Sequence, residues 1–147
     1  MASDEMPTQH RWIDVRDCQG FLWRMYAAYE GLAVASFEGK LKSLALHKIP
    51  GASTCVTTLL TRENDDPGSD FVAVPINKAT IPALKQILAA PGVLGDDGVV
   101  VHTQLATGQE LIVSACDNFH DECVRVSTSV PLVLLAAMLH QGVLKLI

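Results

Sequence analysis

The sequence has few charged residues, few aromatic residues and no catalytic signature. Charged residues make up 18% of the 147 positions and aromatic residues 5%. Neither a Gly-x-Ser-x-Gly nor a His-Glu-x-x-His pattern occurs, and the chain has no glycine-rich phosphate loop. A fold-assembled Cys-His pair would leave no such local pattern, so enzymatic activity stays open, but the sequence favours a non-catalytic domain.

Clustered basic residues and long apolar runs are also missing. Lys and Arg number 11 against 16 Asp and Glu, for a net charge of −5. Because phosphate contacts need clustered bases, this balance argues against a general nucleic-acid binder. The most apolar segment, residues 130–147, is interrupted by His140, Gln141 and Lys145 before it reaches the roughly 20 residues a bilayer requires, so it predicts a core helix and strand and no membrane partner.

Residues 1–10 contain no apolar run that resembles a secretory signal. We predict a disordered tail over residues 1–10 and one domain over residues 11–147. The four cysteines are unevenly spaced, which is unlike the disulfide framework of a small secreted protein. The sequence therefore predicts reduced thiols in a cytoplasmic protein, and no motif indicates a cofactor.

One short segment has the residue types of a soft-metal site. Cys116, His120 and Cys123 lie within eight residues of one another in a predicted loop between strands. Zinc would need a fourth ligand, which His47, Cys55 or His102 could supply if the fold brought it close. The alternative is that the cysteines are structural thiols at strand ends.

Aromatic residues are concentrated near the amino terminus, since six of the eight lie in the first 37 residues. Trp, Tyr and Arg are enriched at binding hot spots. This segment is therefore the predicted partner or ligand surface, although packing in the core would explain the same residues. The candidate binding residues are Trp12, Trp23, Arg24, Tyr26 and Phe37.

Helical spacing of apolar residues predicts a first helix from Asp17 to Tyr29, ended by Gly31. A strand with Phe21, Trp23 and Met25 on one face is the alternative. β-Branched and aromatic residues then predict four strands, of which the first two form a hairpin about Gly39. These strands are Leu32–Phe37, Leu41–Ile49, Thr54–Thr61 and Phe71–Ile76.

The second half of the chain predicts a helix from Thr80 to Pro91 and a last helix from about Pro131 to Gln141. Three strands separate the two helices: Val99–Leu105 and Glu110–Ala115 as a hairpin, then Cys123–Thr128. Both helices begin with a hydroxyl residue, a β-branched residue and proline, and both are followed by Gly-Val-Leu. A strand-strand-helix unit that occurs twice is therefore possible.

This element order predicts an α+β fold, with about three helices on one face of a largely antiparallel sheet. With the net negative charge, the order resembles that of the class I type III secretion chaperones, although no sequence motif of that family accompanies it. The resemblance implies a small homodimer that holds an unfolded segment of a protein partner.

Apolar residues make up 49% of the chain, and its mean hydropathy is +0.26. This excess favours self-association. We therefore expect a non-catalytic protein-binding or adaptor domain that forms a homodimer. Two alternatives remain: a small-molecule-binding or enzymatic domain with a pocket lined by Trp23, Tyr26 and Phe37, and a single-stranded nucleic-acid binder that uses the aromatic and basic residues of the first 50 positions.

Overall fold

The computed structural model describes residues 9–63 and 66–147. In these residues the chain is a single α+β unit with three helices on a seven-stranded sheet. The helices are α1 (Cys18–Ala28), α2 (Ile81–Leu88) and α3 (Leu132–His140). The strands are β1 (His10–Val15), β2 (Ala33–Gly39), β3 (Asp70–Ile76), β4 (Val100–Thr107), β5 (Leu111–Ala115), β6 (Val124–Ser127) and β7 (Leu144–Leu146).

The sheet has the strand order β3-β2-β4-β5-β6-β1-β7, and every neighbouring pair is antiparallel. Helix α2 links β3 to β4 on either side of β2, and α3 links β6 to β7 on either side of β1. The similar sequences around the two helices thus form similar units, in which a helix connects two parallel strands that flank a third. Gly142 directly follows the C-cap of α3 with φ of 76°, a conformation that suits glycine, and Gly92 lies in the turn after α2 with φ of 79°.

The main core lies between the sheet and the helices. Side chains alternate along a strand, so every second residue points to this face. Each helix contributes its buried stripe to the same core, which places all three helices on one face of the sheet. The fully buried residues include Ile13, Phe21, Met25, Tyr26, Ala35, Phe37, Val74, Leu84, Leu88, Val124, Val126 and Met138.

The opposite face is covered over β2, β3 and β4 by an irregular segment, residues 52–63. Leu60 packs there against Phe71 and Ala106. The Gln104 side-chain oxygen accepts a hydrogen bond from the Thr61 amide at 3.2 Å. No described segment covers the rest of this face, on β5, β6, β1 and β7. We call that part the open face, and its residues include Trp12, Asp14, Ser114, Arg125 and Lys145.

Most of the predicted elements are confirmed. The segment from Asp17 is a helix and not the alternative strand, because the Asp17 carboxylate caps its first turn by accepting a hydrogen bond from the Gly20 amide at 2.9 Å. The two later helices, the β4–β5 hairpin and the strands near 71–76 and 123–128 also form as predicted.

Two predicted strands are wrong. Residues 41–49 form turns with a short 3-10 helix, Leu46–Lys48. Residues 54–61 are irregular, and a single bridge between Ser53 and Ala73 precedes them. The hairpin about Gly39 does not form, because β2 pairs instead with β3 and with the distant β4. Strand β1 was missed. The predicted tail, residues 1–10, lies mostly outside the described residues, and His10 belongs to β1.

Candidate functional site

The loop from Cys116 to Cys123 joins β5 to β6 and holds the candidate metal ligands. Ala115 pairs with Val124 across the two strands, and the Cys116 amide donates to the Cys123 carbonyl at 3.2 Å. The two cysteines therefore face each other one position beyond the pair of Ala115 and Val124. Since Ala115 and Val124 point into the core, alternation places both cysteines on the side of the open face.

The backbone of this loop is unusual. Asp117, Asn118 and Phe119 have consecutive φ values of 51°, 58° and 63°, and Glu122 has φ of 71°. Each left-handed residue other than glycine costs about 1–2 kcal/mol, although Asn and Asp tolerate the conformation best. A run of three persists only where the surrounding structure holds it, and such sites are often functional.

Two side chains of the loop hold it in place. The side-chain amide of Asn118 donates through Nδ2 to the carbonyl oxygens of Gly98 at 2.7 Å and Val100 at 3.2 Å. Phe119 is buried in the main core, edge-on to the ring of Phe21 with centroids 6.5 Å apart. The loop is thus fixed to β4 and to α1, so the positions of its other side chains are set by the fold.

Three potential ligand atoms converge on the outer side of the loop. One atom each from Asp117, His120 and Cys123 lies within 4.8 Å of the others. The Cys116 thiol lies 3.4 Å from the Cys123 carbonyl oxygen. His102 is close by, because its Nδ1 accepts a hydrogen bond from the Asp117 amide at 3.2 Å.

Acidic side chains lie close to this cluster and contribute to the pKa shifts of two of its groups. The hydrogen bond with Cys116, together with burial and the nearby carboxylates of Asp117 and Glu122, raises the pKa of the Cys123 thiol to about 11. The pKa of His120 is also raised, first by its hydrogen bond to the Asp121 carbonyl and then by the Asp121 carboxylate. The loop carboxylates contribute to both shifts, but hydrogen bonds are the largest cause of each.

The structure thus brings together His120 and Cys123, with Cys116 beside them. It does not bring the predicted fourth ligands His47 and Cys55 to the loop, since His47 lies in the 3-10 helix and Cys55 is exposed in the segment over the far side of the sheet. The predicted metal ligands did not include Asp117, because nothing in the sequence distinguishes it from other acidic loop residues.

The open face carries one large exposed aromatic side chain. Trp12 on β1 pairs in register with Arg125 on β6, and the guanidinium carbon lies 5.9 Å from the centre of the indole ring. This is the distance of a cation–π contact. Trp12 remains 49% exposed, so a flat apolar surface beside a positive charge faces solvent.

The other four predicted binding residues do not join Trp12. Tyr26 and Phe37 are fully buried in the core, which is the alternative that the sequence left open for these residues. Trp23 is partly buried, with its ring 6.4 Å from that of Tyr26. The Arg24 Nε donates to the Gln141 side-chain oxygen at 2.9 Å and so ties α1 to the end of α3.

Helix α3 exposes apolar residues on its outer side. Leu132 and Val133 are 65% and 78% exposed, and Leu139 is also exposed. Between them Ala136 and Ala137 leave the helix surface shallow, and the one ionisable residue of α3 is His140 at its end. The helix has nine residues, and in the described ranges none is long and apolar enough to cross a bilayer.

Helix α3 packs beside β7, one of the two edge strands of the sheet. The other edge, β3, is blunted by Pro75 and by the bridge to Ser53. Among the described residues, no comparable bridge covers the outer side of β7. Leu146 of β7 is 57% exposed and lies on the sheet face that α3 covers, so the helix surface continues onto this edge.

Comparison with known proteins gives no relative: no family model, no curated protein and no solved structure matches this chain. The resemblance in element order to the class I secretion chaperones is therefore not accompanied by a structural match.

Proposed function

We propose that this protein is a protein-binding module that acts as a homodimer. The observation that supports it is the apolar outer surface of α3, which lies next to an open sheet edge. A surface of this kind, made of Leu132, Val133, Leu139 and Leu146, costs free energy when it faces water. Covering it with a second copy removes that cost.

A second copy suits this surface because its lack of Lys, Arg, Asp and Glu lets it contact itself without like charges meeting. A two-fold axis brings the same patch from both subunits together, so a charged residue there would meet its own like charge. The patch avoids this conflict, since it holds no Lys, Arg, Asp or Glu between Leu132 and Gly142. In the dimer, β7 would pair antiparallel with its copy, and the two α3 helices would pack across their alanines.

The partner would bind on the open face, away from the dimer contact. Trp12 provides the apolar area, with Arg125 fixed over its ring. Lys145 and Arg16 add positive charge beside it, and Asp14, which forms an ion pair with Arg16 at 3.0 Å, subtracts from it. An extended protein segment with an apolar side chain next to an acidic one would fit this surface.

Paired leucine variants test the dimer. Leu132 and Leu32 are both 65% exposed, but only Leu132 lies on α3. We expect Leu132→Glu to give a monomer in size-exclusion chromatography with light scattering, while Leu32→Glu leaves the dimer intact. A monomeric wild-type protein, or equal effects of the two substitutions, would contradict the proposed interface.

Site-specific photo-crosslinking tests the partner surface. A photoreactive amino acid would replace either Trp12 or Val56, which are 49% and 51% exposed, in protein expressed in its source cells. We expect a crosslink to a different protein from position 12 that is absent from position 56 and is lost in the Arg125→Ala background. Equal crosslinking at both positions, or self-crosslinking alone, would rule out a partner at this face.

A further inference from the structure

The loop between β5 and β6 offers a chemistry that the proposed protein binding does not use. Asp117, His120 and Cys123 present a carboxylate, an imidazole and a thiol with their ligand atoms within 4.8 Å of one another. The Cys116 Sγ lies beside this group, 3.4 Å from the Cys123 carbonyl oxygen. We propose that these four residues bind one zinc ion, with Cys116 as the fourth ligand.

The donor set matches zinc in number and type. Zinc in proteins takes four ligands in a tetrahedron, from cysteine sulfur at about 2.3 Å, histidine nitrogen at about 2.0 Å and carboxylate oxygen at about 2.0 Å. Bonds of these lengths put neighbouring ligand atoms about 3.3–3.8 Å apart. The spread of up to 4.8 Å among Asp117, His120 and Cys123 therefore closes with small side-chain rotations, and a rotation of the Cys116 side chain would bring in the fourth ligand. Two sulfur ligands favour zinc over magnesium or calcium, which prefer oxygen.

The loop places these ligands before any ion arrives. Asn118 and Phe119 hold the backbone between the ligands to β4 and to the core, as described above. Asp117 takes its left-handed conformation next to Asn118, and its amide donates to Nδ1 of His102. Most of the ordering that ion binding requires is thus already present in the fold.

The local charge favours a cation as well. Asp121 and Glu122 lie in the same loop as Asp117, and neither is among the converging ligands. Release of the two thiol protons on binding gives a site with two thiolates and a carboxylate, so the ion's two charges are compensated. Because Asp117 and His120 are exposed, the ion would exchange readily with chelators in solution.

Cobalt binding tests this site directly. Protein that has been reduced and freed of metal would be titrated with Co²⁺, and then Zn²⁺ would be added in competition. We expect one Co²⁺ per chain, with the visible absorption of a tetrahedral ion and a thiolate-to-cobalt charge-transfer band, and its displacement by one Zn²⁺. Binding without a thiolate band, or at no defined stoichiometry, would overturn the proposal.

Single substitutions then assign the ligands. Cys123→Ser and His120→Ala should weaken zinc binding at least ~100-fold, beyond the ~10-fold to ~100-fold effect of removing a residue that only supports a ligand. Cys55→Ser and His140→Ala, at exposed positions away from the loop, serve as matched controls and should bind like the wild type. Wild-type affinity in Cys123→Ser would exclude the site, and wild-type affinity in Cys116→Ser would exclude the fourth ligand.

Alkylation of the wild-type protein gives a second readout that does not depend on a variant that folds. Zinc should protect Cys116 and Cys123 from a maleimide but leave Cys55 as reactive as before. Equal reactivity of Cys116 and Cys123 with and without zinc would overturn the proposal. Neither experiment requires the dimer or a protein partner, so failure here leaves the proposed protein binding untouched.

Discussion

At the scale of single residues, Tyr26 is a fully buried ionisable side chain that links stability to pH. It lies on the buried side of α1, and burial raises the pKa of its hydroxyl above the ordinary value of 10.0. The folded protein therefore keeps the proton that the unfolded chain releases above pH 10. Because the raised pKa belongs to the folded state, this contribution to stability is complete below pH 10 and is lost as pH rises further.

We expect the free energy of unfolding to fall above pH 10, and to fall less steeply in Tyr26→Phe, which has no proton to lose. Urea unfolding of both proteins between pH 8 and pH 11 would measure the difference. The wild type should be the more sensitive of the two only above pH 10. Parallel pH dependence of the two proteins would show that Tyr26 does not ionise on unfolding.

Gly39 is required by a close backbone contact. Its φ is 149°, and a Cβ placed on it would lie 1.9 Å from the Val99 carbonyl oxygen, at the irregularity where β2 meets β4. Gly39→Ala should therefore cost at least ~2 kcal/mol in chemical denaturation. Gly31→Ala is the matched control, because Gly31 has φ of 79° but open space around it, and it should cost only about 1 kcal/mol. Equal losses would mean that backbone strain alone sets the effect.

At the scale of elements, the cap of α1 is the contact that a variant can test. The Asp17 carboxylate accepts a hydrogen bond from the Gly20 amide at 2.9 Å, and α1 has no acidic residue in its first turn to replace it. Asp17→Ala should lower the free energy of unfolding by about 1 kcal/mol, while Asp17→Ser should keep most of it. Thermal unfolding followed by circular dichroism would compare them, and an Asp17→Ser variant as unstable as Asp17→Ala would argue against a cap.

The elements that the sequence predicted are those whose signals are local. Helices α2 and α3 and the β4–β5 hairpin follow from apolar spacing, proline and glycine. The two strands predicted within residues 41–61 were wrong because β-branched composition favours a strand only where a neighbouring strand is available. Strand β2 is not available, since it pairs with β3 on one side and with β4 on the other. Strand β1 was missed because its pairing with β6 and β7 joins the two ends of the chain.

The candidate site was predictable in part for the same reason. The spacing of Cys116, His120 and Cys123 indicated the loop. The Asp117 side chain comes close to two of these residues where the backbone is left-handed, and no local sequence pattern predicts that conformation. The aromatic residues gave the opposite result. Composition could not separate Trp12, which is exposed on β1, from Tyr26 and Phe37, which the fold buries.

At the scale of the whole molecule, the dimer surface on α3 and the β7 edge lies apart from the other two. The zinc-ligand loop lies at the ends of β5 and β6, with its cysteines on the side of the open face that also carries the partner surface around Trp12. In the dimer, β7 would pair with its copy, so the two open faces would join into one continuous surface. A single extended partner could then contact both Trp12 side chains, which would raise its affinity above that of either face alone.

Sedimentation equilibrium of the unmodified protein, over a wide range of concentrations in reducing buffer, tests whether the protein is a homodimer. We expect a mass of twice 15.8 kDa that persists to low micromolar concentration, with Leu132→Glu at the mass of one chain. A wild-type mass of one chain at every concentration would contradict the homodimer, and the apolar surface of α3 would then need another occupant.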